Sequence, residues 1–128
     1  MKFLFALPLA GAIFSALMLA PFPAAHAGPT GPGAQAFAAC KACHTLEAGG
    51  KSVMGPNLNG LMGRQAGSVA GFKYSPALKA SKIRWDEKSL DEYLAAPTKK
   101  VPGTRMVVKV ADPARRAALI AYLKAETQ

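Results

Sequence analysis

The sequence predicts an all-α domain of four or five short helices separated by long loops. Two observations carry this. Ser75-Pro76 and Asp112-Pro113 each set a capping side chain ahead of a proline at the first helical position. Leu90, Tyr93 and Leu94, and later Leu119, Tyr122 and Leu123, recur at helical rather than strand spacing. A length of 128 residues bounds the answer to one small domain.

Residues 1–27 stand apart from that domain. Lys2 gives a positive start, Phe3 to Leu19 is almost wholly apolar, and Ala25-His26-Ala27 is a small-residue cleavage site. Together they read as a cleaved secretory signal peptide. An uncleaved anchor is the alternative, because the apolar run is nearly long enough to span a bilayer. Pro8, Pro21, Pro23 and the cleavage site favour removal, leaving a mature domain of residues 28–128. In a bacterium its destination is the periplasm, with no stable membrane insertion after cleavage.

Gly28 to Gly33 is a Gly/Pro-rich lead-in. Pro32 to Cys43 reads as the first helix, with Phe37 its one large apolar residue. Glycines recur from Gly49 to Gly71 and predict a long irregular segment. Such a segment needs something large beside it to pack against. A brief helix is expected over Pro76 to Ala80. Asp86 or Ser89 caps the next, which ends at Pro97. The last helix starts at Asp112-Pro113, with Ala118, Leu119, Tyr122 and Leu123 on one face and Arg115, Arg116 and Lys124 mostly elsewhere. Val107 to Val110 alternates imperfectly; it reads as a strand or, preferably, a buried loop arm.

The chemistry is concentrated in Cys40-Lys41-Ala42-Cys43-His44. Cys-x-x-Cys-His is the order of a c-type haem attachment site. Two thiols a turn apart reach the two vinyl groups of a haem, and the adjacent imidazole reaches its iron. These are the only cysteines, and the other histidine, His26, sits in the predicted leader. A structural disulfide and a thioredoxin-like redox pair are alternatives, but no strand–helix–strand alternation accompanies the motif. Structural zinc takes four ligands, and only three of the usual donors cluster here. One covalently bound haem c is therefore the expected cofactor. It would fill the space beside the glycine-rich segment, and the chain without it is expected to be largely unfolded.

A haem iron held by one histidine has an opposite face. Met54, Met62, Met106, the lysines and open coordination are the choices there. Met62 follows Leu61 in an apolar patch and suits the core. Met106 follows Pro102-Gly103-Thr104-Arg105, a stiff turn able to aim one side chain inward, and is the favoured ligand. A thioether there suits simple electron transfer, whereas an open site suits gas binding or peroxide chemistry.

The full sequence has 16 basic and 7 acidic residues, a formal charge of +9 that drops by one with Lys2. Export excludes nucleic acid as the partner, leaving acidic protein faces or anionic lipid. The basic residues are spread along the chain, as solvated side chains or as a docking face.

Beyond the attachment motif, several blocks fall in a familiar order: Gly55-Pro56-Asn57-Leu58, Gly71-Phe72-Lys73-Tyr74, Ile83-Arg84-Trp85, Glu92-Tyr93-Leu94, Pro102 to Met106, and Leu119 to Lys124. In these the chain resembles the class I c-type cytochromes, close to the bacterial relatives of mitochondrial cytochrome c, over roughly Gly33 to Lys124. The resemblance implies the small cytochrome c fold wrapped around one haem, with Cys40 and Cys43 attaching it and His44 and Met106 as axial ligands. It implies that the Pro56 carbonyl accepts from His44, and that Tyr74 and Trp85 hydrogen-bond a buried propionate beside Arg64. Tyr93 and Thr104 would line the Met106 side. Lys41, Lys99, Lys100, Arg105 and Lys109 would ring the exposed haem edge.

The implied role is a monomeric, non-enzymatic electron shuttle. Its partners would be acidic faces of a cytochrome bc-type complex, a terminal oxidase, a photosynthetic reaction centre or a periplasmic dehydrogenase; the alternative is the haem subunit of such a dehydrogenase. Four features depart from the family pattern. Leu78 stands where many relatives have Asn, Val108 where an aromatic is usual, the segment after Met106 is one residue shorter and lacks a glycine, and the first helix is abbreviated. They bear on potential and docking surface, not on the iron ligands.

Overall fold

Among the described residues five helices follow one another: α1 Pro32–Phe37, α2 Pro76–Ala80, α3 Glu87–Ala95, α4 Pro97–Lys100 and α5 Pro113–Glu126. The computed structural model describes residues 30–128, so the predicted leader lies outside the described residues. Among those residues no helix is long and apolar enough to cross a membrane. The β pairing they contain is an isolated antiparallel bridge, Gln65 to Arg84.

Local chemistry explains each boundary. Ser75 accepts from the Leu78 N–H and Pro76 opens α2. Asp86 accepts from the Ser89 N–H at 2.7 Å while its own N–H donates to Ser89 Oγ at 2.9 Å, so both expected capping residues act, as a reciprocal box. Asp112 accepts from the Arg115 N–H at 2.6 Å to start α5.

Three expectations are corrected and one is extended. The first helix stops at Phe37; residues 38–43 continue as turns, in which the Cys40 N–H already bonds back only three residues to Phe37. Pro97 does end α3, but its preset φ also opens the short α4. The 107–110 arm is neither strand nor buried: Val107 and Val108 are 71% and 52% exposed. Arg116 is not on the solvated face of α5 but buried.

The core forms where α1 crosses α5, with α3 against α5 beside it. Phe37 and Leu119 are almost wholly buried, and Phe37 packs on Tyr122 with ring centroids 5.7 Å apart. Burying each such side chain contributes about 2 kcal/mol. The crossing depends on Gly33, where a Cβ would lie 2.5 Å from both the Ala118 carbonyl oxygen and Tyr122 Cβ. At the far end, the Gly60 N–H donates to the Thr127 carbonyl at 2.7 Å, and Thr127 is 1% exposed. The glycine-rich loop is thus tied to the end of α5.

Gly33→Ala is expected to destabilise the protein by about 1–3 kcal/mol, since neither obstacle at the crossing is the far end of a flexible side chain. A denaturant midpoint that falls with unchanged slope would show it.

Candidate haem site

The turns after α1 place the attachment motif on the rim of the α1–α5 core. The His44 N–H donates to the Cys40 carbonyl at 2.9 Å and the Cys43 N–H to the same oxygen at 3.1 Å, so both thiols and the imidazole project from one tight coil. Both cysteines are half-buried and are not bonded to each other. Burial pushes the Cys40 thiol up, partly offset by the nearby Arg115 guanidinium and reinforced by Cys43.

His44 is fixed from two sides. Its Nδ1–H donates to the Pro56 carbonyl at 2.8 Å, leaving Nε2 as the ring nitrogen for a metal. The backbone at Gly55 lies against the ring, where a Cβ would sit 2.5 Å from Cε1. Burial holds the imidazole pKa below its usual value, opposed by the Pro56 bond. The neutral form is the one that ligates metal.

The loop carrying Pro56 has no helix or strand to hold it. Asn57, buried, takes that part. Its Nδ2 donates to the Glu47 carbonyl and Thr45 Oγ1, both at 2.9 Å, and to the Thr45 carbonyl at 3.3 Å. Its N–H donates to Ser52 Oγ at 2.9 Å, and its Oδ1 accepts from the Asn59 N–H at 3.0 Å. Sequence reasoning gave Asn57 no role, because a bond spanning a loop leaves no periodic trace. Arg64 joins this network, donating to the Asn59 and Asn57 carbonyls at 2.6 and 3.0 Å.

Later in the chain, the Val101–Thr104 turn is closed by the Thr104 N–H on the Val101 carbonyl at 3.0 Å, with Gly103 at φ 91°. Only glycine takes that conformation without strain. Tyr93 Oη and Thr104 Oγ1 meet at 2.7 Å in a buried bond, and Met106, two residues on, packs half-buried against the core. Met54 by contrast is 71% exposed. Trp85 is buried against Tyr93, centroids 5.2 Å apart. Tyr74 is buried too; its oxygen accepts from the Val69 N–H at 3.3 Å, which leaves its own proton to donate. Lys41, Lys99, Lys100, Arg105 and Lys109 are all exposed, but Lys100 is paired with Glu92.

These residues fit a haem. Leu58, Met62, Leu78, Ile83 and Met106 pack on the core yet stay half-exposed, an apolar lining the protein itself does not complete. Among the described residues no three His, Cys, Asp or Glu side chains are grouped so as to hold a metal ion.

Residues 31–126 match the cytochrome c family. The chain is 47% identical to cytochrome c of Guizotia abyssinica over 110 residues, 84% of this chain and 99% of that protein. It is 51% identical to cytochrome c2 iso-2 of Magnetospirillum fulvum over 90 residues, 70% and 93% of the two chains. The structure of cytochrome cH from Methylobacterium extorquens superposes with a TM-score of 0.69 at 47% identity, covering 73% of this chain and 95% of that one. The chain belongs to the cytochrome c family, with its all-α fold: an electron-transfer protein, not an enzyme, carrying covalent haem c.

Burial is the main cause that raises the Tyr74 and Tyr93 phenols above their ordinary value of 10.0; hydrogen bonds from Val69 and to Thr104 respectively oppose it, as Arg64 does for Tyr74. Their contribution to stability is therefore complete below pH 10.0 and is lost as pH rises toward the folded-state values. Tyr93→Phe is expected to cost about 1 kcal/mol at neutral pH through the lost Thr104 bond. Above pH 10.0 its denaturant midpoint should fall less steeply than that of the parent.

Proposed function

We propose that this protein is an exported, monomeric one-electron carrier that works in the periplasm. His44 and Met106 would be the side chains that hold its haem iron. The observation that carries this reading is a fixed imidazole, Nδ1 on the Pro56 carbonyl at 2.8 Å, in a chain that also holds a half-buried thioether two residues beyond the Tyr93–Thr104 bond. Haem c supplies a reversible one-electron iron couple when bound. Around it the chain holds its donors in place. Cys40 and Cys43 give the thioether attachments, His44 presents Nε2, and Met106 offers a soft neutral sulfur that raises the potential.

The polar residues manage charge. Tyr74 has a proton to donate toward a propionate, Trp85 offers its indole N–H, and Arg64 offsets the negative charge beside Tyr74. Lys41, Lys99, Arg105 and Lys109 attract an acidic face of the partner, a membrane redox complex or periplasmic dehydrogenase. Lys100 contributes less because Glu92 already answers its charge. The leader at 1–27, with Ala25-His26-Ala27 at its end, supports export, and the mature domain is 28–128.

Met106→Ala is expected to lower the reduction potential and to convert a protein that does not bind carbon monoxide at neutral pH into one that does. An unchanged potential would refute the ligand assignment. Association with an acidic partner should slow by roughly tenfold or more as salt rises from about 0.01 to 0.15 M, and a salt-independent rate would refute the docking face.

A further inference from the structure

The span that carries Met106 is held at its two ends and hardly anywhere between. Upstream, Thr104 is fixed by Tyr93 and by its turn. From Arg105 to Lys109 no backbone N–H has a protein acceptor among the described residues, and Val107 to Lys109 are exposed. One side-chain contact, Arg105 Nη1 on the Lys73 carbonyl at 3.2 Å, touches this stretch before Met106. Pairing resumes at Val110, whose N–H donates to the Leu94 carbonyl at the end of α3, 2.8 Å away.

The carbonyls at that point are taken by Arg116. Its Nη1 donates to Val110 O at 2.9 Å and Ala111 O at 3.1 Å. Its Nε and Nη2 face Asp91 of α3 at 2.6 and 3.4 Å, a forked pair. The Arg116 side chain is only 10% exposed, against 47% for Asp91. One guanidinium thereby joins three segments: α5, α3 and the downstream end of the Met106 arm.

We infer that Arg116, oriented by Asp91, is a positioning residue for Met106: the downstream anchor that keeps the thioether in place, as Tyr93–Thr104 does upstream. The inference rests on Met106 being the axial ligand. With the clamp gone, the five-residue stretch with unpaired amides becomes continuous with Val110 and Ala111, and the sulfur yields more readily to a competing ligand. A second cross-link between the same helices, Lys124 with Glu87, touches no residue of the arm and serves as the internal control.

The test is imidazole binding to the ferric, haem-loaded full chain, followed in the visible spectrum, with the reduction potential measured alongside. Arg116→Gln is expected to raise imidazole affinity by about tenfold, the size of one lost charge-assisted hydrogen bond, and to lower the potential. Asp91→Asn should move both readouts the same way by less, and the double variant should gain little over Arg116→Gln, since the two act as a pair. Glu87→Gln should leave both at parent values. Should Arg116→Gln fail to accumulate as holoprotein, Arg116→Lys and Asp91→Asn give the same reading. Parent-like imidazole affinity in every clamp variant, with Met106→Ala binding imidazole tightly, overturns the clamp and leaves Met106 as ligand. Imidazole affinity and potential unchanged in Met106→Ala overturns both.

Discussion

Where Gly33 meets α5, a hydrogen atom stands in for a side chain, and the two helices close on each other across that gap. The position of the turns that follow α1 depends on this closure. The turns from Ala38 to Cys43 leave α1 directly, so the angle at which α1 lies on α5 decides where both thiols and the imidazole point. α5 in turn holds α3 beside it and, through Thr127, the loop at Gly60. A small amount of regular structure thus fixes a much longer irregular chain.

The irregular part is organised by polar side chains instead of backbone ladders. Asn57 substitutes for a strand partner between Thr45 and Asn59, and Arg64 extends that work to the next turn. Buried amide and guanidinium groups are stable only when nearly all their donors are met. Among the described residues no buried side-chain nitrogen or oxygen lacks a partner. What the loop leaves incomplete is apolar: Leu58, Met62 and Ile83 half-covered, a lining suited to a large flat prosthetic group.

Much of this was legible in the sequence. Cap-and-proline pairs mark α2 and α5 because the signal is local, and the attachment motif is five consecutive residues. The end of α1 was not legible, since the change from four-residue to three-residue bonding at Cys40 answers to the path of the chain and not to any helix breaker. Val107 and Val108 look like core by composition, yet among the described residues they lie exposed. Arg116 was misplaced although its register was informative. It shares one stripe with Leu119, Ile120 and Leu123 at i, i+3, i+4 and i+7, and a charge at such a position is buried only if something answers it. Asp91, 25 residues earlier, answers it, and pairing over that separation has no signature in one sequence.

Thr127 lies just past the end of α5 yet is among the least exposed of the described side chains, its hydroxyl on the Leu123 carbonyl at 2.7 Å. This short stretch after α5 is therefore a keystone of the fold. A strain applied to the residues just after α5 would pass through Thr127 to Gly60, and from there to the loop of Asn57 and Arg64.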